Sequence, residues 1–496
     1  MKKFSLIFVV VFLLGAAIRM ADLRHTVDRP SWRECDVAGI ARSFYREDMN
    51  LFYPRVDWRG DGPGYAEMEF PFYPWLIAAG YKLFGFDERL GRIINFVFSL
   101  LTLISFYRLA RYLLPPVGAI VAFIFFTFNP LLINISTSLQ PEGLMFLGYV
   151  LAGYFFIRWL DSEAIWHFIV ACTATALAIL AKAPAAHIGL FFTLLLLGKY
   201  SLAAIKQVRL WLFAVVALLP GALWYVHAHK FWLQYGNSLG VSNEYHWAGL
   251  DLFTDPSFIV GISRSELFYV LMPTGIILAL LGVFLKWREK PVNYGLSWLF
   301  AAVTYYLIAA RTTSDQWAAY YHVVSLPGYA LLIGSGIEAI RQLKTDLRWN
   351  KALKAAGIFS LAGILLFQMR QIVVDAKAWK PSELMNCAKS FAAMISRNEL
   401  ILVTGGVCQD EGFPVAYNAS FMMYWADRKG FNVCIEEQSL ESIATFIKRG
   451  AKYYLAAKST FRYKKHLEED LRQIYPVLAE CNDYCLFQLK PLDVRD

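Results

Sequence analysis

Ionisable residues stand at the ends of long apolar runs in this chain, and their types define the chemistry available. The segment Trp32-Arg33-Glu34-Cys35-Asp36 sets two carboxylates just past the first apolar run. An ionised carboxylate there can take a proton from a hydroxyl as a general base; a solvated or helix-capping acid is the plainer alternative. Glu69 precedes an aromatic, Pro-rich entry, Phe70-Pro71-Phe72-Tyr73-Pro74-Trp75, and Arg92 opens the next apolar run. Arg92 is suited to pair with one of these acids or with a phosphate. Glu142, in Ser138-Leu139-Gln140-Pro141-Glu142, opens a helix, where a carboxylate favours the N-terminal dipole. Lys182, in Leu180-Ala181-Lys182-Ala183-Pro184, lies between two apolar runs. A charge so placed is costly and marks a functional site, unless the side chain snorkels to the surface. The stretch from Arg311 to His322 adds Tyr320 and Tyr321. Arg and Tyr hydroxyls at a helix entrance can hold an anionic phosphate, and an interfacial aromatic belt explains the same residues.

The elements that carry these residues are apolar helices. Eleven apolar segments occur near 4–20, 93–110, 117–135, 143–159, 164–181, 184–198, 210–228, 267–285, 293–310, 318–340 and 353–370. A spanning helix needs roughly 20 residues. The 184–198 run is the weakest of them and is open to a re-entrant or short buried reading. Lys and Arg concentrate in alternate short loops, among them Arg108, Arg111, Arg158, Lys199, Lys206, Arg209, Lys286, Arg288, Arg341 and Lys344. The opposite short loops hold only Lys182, Lys230, Arg264 and Arg311. Cytoplasmic loops are the basic ones, so the acids and Lys182 face outward, and an odd number of spans sends the C-terminal residues outside too. Three outer segments are long: about 22–92, about 229–265, and everything from about 380. The first holds helix-like stretches at 34–47 and 73–84. In the last, strands are expected at Leu400–Thr404, Asn432–Ile435, Tyr453–Ala457 and Tyr484–Leu489, with helices at 419–429, 439–449 and 463–474. Strands alternating with helices indicate a small α/β layer.

Composition agrees. Of 496 residues, 57% are hydrophobic, 16% aromatic and only 18% charged, against about a quarter charged in soluble domains. The net charge of +9 is spread through loops and forms no nucleic-acid stripe, so nucleic acid is excluded as a partner. Five of the seven cysteines, Cys387, Cys408, Cys434, Cys481 and Cys485, fall in the last segment, where an extracytoplasmic location permits disulfides. Their pairing is open, and the CxxxC at 481–485 is a weak metal signal with no His beside it.

The ordered set of Asp36, Glu69, Glu142, Lys182-Ala183-Pro184 and Tyr320-Tyr321-His322 resembles the GT-C superfamily of membrane glycosyltransferases, nearest to glycosyltransferase family 39, which includes the protein O-mannosyltransferases and the lipid A aminoarabinose transferase. The similarity covers about residues 1–340. It implies a mainly α, polytopic transmembrane helix bundle with about eleven spans, residues 1–375 with an outer catalytic loop at 22–92, and a small soluble extracytoplasmic α/β domain at 380–496. The family's first-loop acid is its catalytic base, which Asp36 matches best and Glu34 next. The family's Glu-Lys-Pro-Pro stretch is Glu69-Phe70-Pro71 here, without the Lys, so another cation among Lys182, Arg311, Arg264 and Arg92 must meet the donor phosphate. Glu142 matches the acid after span three, and Tyr320, Tyr321 and His322 match the late Tyr-rich turn. Tyr424-Trp425-Ala426-Asp427-Arg428-Lys429-Gly430 resembles tails on bacterial members. The implied donor is a sugar on a polyprenyl phosphate and the implied acceptor a lipid, glycan or protein, with no cofactor and with a divalent metal not required but left open, in the cell membrane among its lipids. A transporter or flippase, which carries charges near the midplane and often inverted repeats, is the main rival; a non-catalytic envelope-polysaccharide assembly protein is another.

The topology makes a direct prediction. A phosphatase fused after Asp496 should be active in intact cells and a cytoplasm-only reporter dark; the opposite pattern would reverse the outward placement of the acidic loop.

Overall fold

The computed structural model describes residues 2–241, 250–344, 348–410, 413–414, 419–462 and 464–489. The part of the second long outer segment at 242–249 lies outside the described residues. The chain divides into two compact units. One comprises Met1–Arg24, Arg92–Trp224 and His246–Trp379; the other comprises His25–Gly91, Tyr225–Tyr245 and Lys380–Asp496.

The first unit is helical. Helices occupy every one of the expected apolar segments. Seven helices among the described residues are long and apolar enough to cross a membrane, and nine if each of two bent pairs is one span. The expected count of about eleven is therefore only partly matched. Ile165–Ala181 has 17 residues, and Lys290–Ile308 carries Lys290 and Asn293 in its first turn. The 184–198 run extends into Ala183–Lys206, which passes as a span. The bent pairs break at Asn129, between Pro116–Thr127 and Pro130–Thr137 at 56°, and near Met272, between Pro256–Leu271 and Gly275–Lys286 at 90°. Asn129 answers the backbone groups freed by its break. Its Oδ1 accepts from Leu131 N at 3.1 Å and Leu132 N at 3.3 Å, and its Nδ2 donates to Val270 O at 2.9 Å. Broken helices are tolerated at membrane depth only when such groups are satisfied by protein.

Helix Leu326–Gln342 runs through the middle of this unit, and 89% of the apolar window of its span is buried. Lipid supplies no hydrophobic force between helices, so close backbone approach through small residues holds them. Gly336 lies where a Cβ would stand 2.1 Å from Leu278 O, and a Cβ at Gly282 would stand 2.4 Å from Leu332 O. A Cβ at Gly118 would be 2.6 Å from Gly334 O, and one at Gly295 3.0 Å from Gly328 O. Helices Gly275–Lys286, Pro116–Thr127 and Lys290–Ile308 thus all meet this one helix through glycine.

The second unit contains a five-stranded sheet. Its spatial order is Gly430–Val433, Leu400–Thr404, Ala451–Ala457, Tyr484–Gln488, Val477–Glu480. The first three strands are parallel and the last two antiparallel. Four of the five were expected. Val477–Glu480 was not, because it is short and only half buried. Leu402, Phe431, Tyr454, Leu471 and Phe487 form the core between sheet and helices. The edge strand is covered by the first long loop: Gly430 N donates to Asp57 O at 3.1 Å, and Gly60 N donates to Gly430 O at 2.6 Å. An open edge invites strand addition, and this loop closes it. The same loop carries helices Trp32–Arg46 and Phe72–Phe84.

The glycine contacts are testable. Gly336→Val should destabilise the detergent-purified protein by about 1–3 kcal/mol, whereas Gly189→Ala, with nothing within 4 Å of its Cβ position, should not; equal thermal melts would exclude backbone contact at Gly336.

Candidate functional site

Helix Trp32–Arg46 begins at Ser31, whose Oγ accepts from Glu34 N at 3.3 Å, and it buries every residue from Glu34 to Phe44. Three of these buried residues are charged. Asp36 is 7% exposed, and its Oδ1 accepts from Trp58 Nε1 at 2.9 Å. Glu34 is equally buried. Between them the Cys35 thiol is pushed well up, first by burial and then by the negative charges of Glu34, Asp36 and Glu88. Its thiol form is inert, so the helix presents carboxylates and no sulfur nucleophile. Glu69 is held by an ion pair with Arg33.

Arg42, six residues beyond Asp36 on the same helix, sets the helix in place. Its Nη2 donates to Asp57 Oδ2 at 2.6 Å, and its Nη1 reaches Tyr424 O at 2.9 Å and Asp427 Oδ1 at 2.9 Å. Burial works against this charge, and Asp57 with Tyr424 and Asp427 more than restores it, so the guanidinium is held above its ordinary range. Burial likewise raises Asp427, and Arg42 and Arg46 bring its carboxyl below the usual range. At the helix end burial raises Glu47, but hydrogen bonds from Arg59 and Lys429 bring it down to about 2. Tyr424 OH donates to Glu88 at 2.7 Å, and Trp425 Nε1 donates to Val27 O at 2.6 Å. The Tyr424–Gly430 run therefore anchors the acid-bearing helix.

The sequence did not single out Glu67 within Tyr65–Phe70. Glu67 is 1% exposed; His229 Nδ1 lies 2.9 Å from its Oε1, and Ser238 Oγ donates to its Oε2 at 2.7 Å. No local pattern announces a contact between residues 162 positions apart.

In the helical unit, Lys182 donates to Glu142. Its ammonium lies 4.1 Å from the ring centre of Tyr321 and 4.9 Å from that of Tyr320. These four residues, with Pro184, His187 and Tyr305, line a cavity of about 10 Å³, room for one water. His187 Nε2 is 2.8 Å from Tyr149 OH, and its ring stacks on Tyr305 at 4.8 Å. Arg92 is buried; its Nη1 donates to Thr137 O at 2.8 Å and its guanidinium lies 5.2 Å from the Trp379 ring centre. Asn95 Nδ2 donates to Gln140 O at 2.8 Å. Arg92 and Asn95 thereby fix the turn that leads into Glu142.

The remaining expected residues are placed elsewhere. His322 does not line the Lys182 cavity: it is fully buried, with Nδ1 2.6 Å from Glu266 Oε1 and Nε2 2.8 Å from Thr313 O. Helical alternation turns its ring away from the face that Tyr320 and Tyr321 present. Arg264 is exposed in the last turn of Pro256–Ser265. Arg311 falls in the turn Ala310–Thr313, and its side chain lies outside the described residues.

The cysteines pair as Cys387–Cys481 and Cys408–Cys434, with Cys35, Cys172 and Cys485 free and buried. The 481–485 pair is thus not a metal motif, since Cys481 is bonded elsewhere. Cys408, Cys434 and Glu436 cluster closely enough for a cation, but thiolate is the metal-binding form and this disulfide has none.

Three kinds of comparison bear on this arrangement. A family model described as dolichyl-phosphate-mannose-protein mannosyltransferase matches residues 63–225. No curated protein matches the sequence. ArnT from Cupriavidus metallidurans in the apo state is similar over 99% of this chain and 98% of its own, with a TM-score of 0.67 at 15% identity. The same protein bound to undecaprenyl phosphate gives a TM-score of 0.66 at 15% identity, over 98% of each chain. The oligosaccharyltransferase AglB from Archaeoglobus fulgidus, in complex with an inhibitory peptide and a dolichol-phosphate, is similar over 91% of this chain and 69% of its own, with a TM-score of 0.56 at 14% identity. The arabinofuranosyltransferase AftD from Mycobacteria is similar over 91% of this chain and 35% of its own, with a TM-score of 0.53 at 12% identity. The chain shares the fold of these proteins.

The Arg42 anchor can be tested directly. Arg42→Ala leaves Asp57 and Asp427 without their buried partner and should cost about 3–5 kcal/mol. Arg46→Ala, at an exposed ion pair with Asp427, should cost less than about 1 kcal/mol. Thermal unfolding in detergent decides, and equal losses would remove the special status of Arg42.

Proposed function

We propose that this protein is a membrane glycosyltransferase that moves a sugar from a polyprenyl-phosphate donor to a lipid, glycan or protein acceptor on the outer face of the cell membrane. The observation that carries this reading is the coincidence of one fold and one segment. The matched segment 63–225 contains Glu69, Arg92, Glu142 and Lys182, and the fold is shared with a protein that binds undecaprenyl phosphate. In this reading eleven spans, with the two less apolar helices included, send the C-terminal residues outward. Disulfides Cys387–Cys481 and Cys408–Cys434 accord with an oxidising compartment.

The chemistry is a single displacement. The acceptor oxygen attacks the anomeric carbon, the bond from that carbon to the phosphate oxygen breaks, and the polyprenyl phosphate leaves with the electron pair. Asp36 takes the hydroxyl proton, and the configuration inverts. The transition state is oxocarbenium-like, as in glycoside hydrolysis. The phosphate gains charge as the bond breaks, and a fixed cation in a water-poor site stabilises it. Lys182 is that cation, with Arg92, Arg264 and Arg311 as further candidates, because Phe70 stands where the family carries a Lys. Glu142 and the rings of Tyr320 and Tyr321 hold the Lys182 ammonium in position. Glu34 is the alternative base.

A transporter is favoured by one feature, the two broken helices of the first unit. A transfer assay separates the readings. Purified protein given a panel of polyprenyl-phosphate sugars should release polyprenyl phosphate and form an acceptor glycoside, which a transporter does not do. Asp36→Asn should slow transfer about 10²–10⁴-fold with little effect from Glu34→Gln. Lys182→Ala should weaken donor use about tenfold to a hundredfold, the worth of a charge-assisted hydrogen bond. Normal transfer by both Asp36→Asn and Glu34→Gln would end the mechanism, and transfer lost only in Glu34→Gln would move the base to Glu34.

A further inference from the structure

The Tyr424–Gly430 run does more than anchor a helix. Helix Ser420–Ala426 ends at Asp427, which adopts a left-handed φ of 53° and turns the chain into the edge strand Gly430–Val433. Beside this turn is a cavity of about 290 Å³. Its walls carry five cations, Arg42, Arg46, Arg397, Arg428 and Lys429, against three carboxylates.

The carboxylates are already answered. Asp57 and Asp427 take Arg42, Asp427 also takes Arg46 at 2.7 Å, and Glu47 takes Lys429 at 2.7 Å. Two positive charges remain. Arg397 is exposed and makes no ion pair among the described residues, its charge reaching Asp427 only at longer range. Arg428 is 6% exposed and spends its Nη atoms on carbonyls, those of Ala426 and Asp427 at 3.0 Å and Ala392 at 2.8 Å among them. Its Nε is buried with no hydrogen-bond partner among the described residues. A buried donor left unpaired costs free energy that a bound acceptor recovers. Its charge has no ion-pair partner among the described residues, Asp427 and Glu399 acting on it only at longer range, and burying a charge without a close partner is costly. Asn398 adds an amide to the same wall. The volume lies at the lower end of the about 300–1,000 Å³ of small-molecule sites, the scale of a single sugar unit and its substituent.

We propose that this cavity binds an anionic saccharide unit, one bearing a phosphate or carboxylate. Arg397 and Asn398 are its direct ligands and Arg428 its buried counter-charge. Resting on the transfer reading, the unit belongs to the acceptor, so the C-terminal module selects acceptors by their acidic sugars.

Binding is measured without donor, so its outcome is independent of the transfer mechanism. The full-length protein in detergent is titrated by calorimetry with glucose 1-phosphate, glucuronate, glucose and inorganic phosphate. Glucose 1-phosphate or glucuronate should bind once per chain, at least about tenfold tighter than both glucose and inorganic phosphate, and should weaken as salt rises. Arg397→Glu, at an exposed position, should weaken the acidic sugars at least about tenfold, with Arg397→Lys intermediate, while Lys182→Ala leaves them bound. Inorganic phosphate binding as tightly as the acidic sugars would overturn the sugar assignment. Binding lost in Lys182→Ala and kept in Arg397→Glu, or no binding at millimolar concentration, would overturn the site.

Discussion

A buried guanidinium has to be answered where it stands, as that of Arg42 is in the second unit. The helix Trp32–Arg46 is buried continuously from Glu34 to Phe44, so a charge within that stretch has no solvated face on which to rest. Arg42 draws Asp57 from the loop and Asp427 with Tyr424 O from the C-terminal module to the same point. The bond from Gly430 N to Asp57 O then brings the loop against the sheet edge. Loop, helix and sheet share one register because one charge demands it. Asp36, a turn and a half before Arg42, inherits its place from that demand.

The helical unit solves a different problem. An ammonium among apolar helices is stable only with partners, and Lys182 has Glu142 and two aromatic faces. Breaking a buried pair costs far more than the pair contributes, which makes Lys182 and Glu142 interdependent. Glu142 and the two rings together fix where the ammonium lies. His322 shows the same logic with another outcome. It is buried against Glu266 and Thr313 O, and that pairing braces the helix Leu326–Gln342 that follows, where Ser325 Oγ also donates to Glu266 at 3.0 Å.

Glycine sets how tightly those helices close. Where a Cβ would fall within 3 Å of a neighbouring carbonyl, as at Gly336, Gly282 and Gly118, only hydrogen fits, and dispersion across the close backbones replaces the hydrophobic force that lipid does not provide. The central helix Leu326–Gln342 is fixed on three sides by such contacts, and the Tyr320–Tyr321 turn enters it. The cation near those rings is therefore held by packing remote from it.

The sequence by itself determined the class of fold and the inventory of charges. Apolar runs of near-spanning length, alternating basic loops and strand–helix alternation after 400 are one-dimensional signals, because desolvation cost and backbone period act on neighbours along the chain. They located helices at all eleven segments and four of the five strands. The sequence also flagged Asp36, Glu69, Glu142 and Lys182, since charges are rare enough at apolar ends to stand out. Tertiary structure alone decided who meets whom. Lys182 finds Glu142 across 40 residues, Arg42 finds Tyr424 across 382, Glu67 finds His229 across 162, and Cys387 pairs with Cys481 rather than leaving 481–485 as a motif. Such partners depend on chain closure and on which face each helix buries, and neither leaves a mark in the spacing of residues.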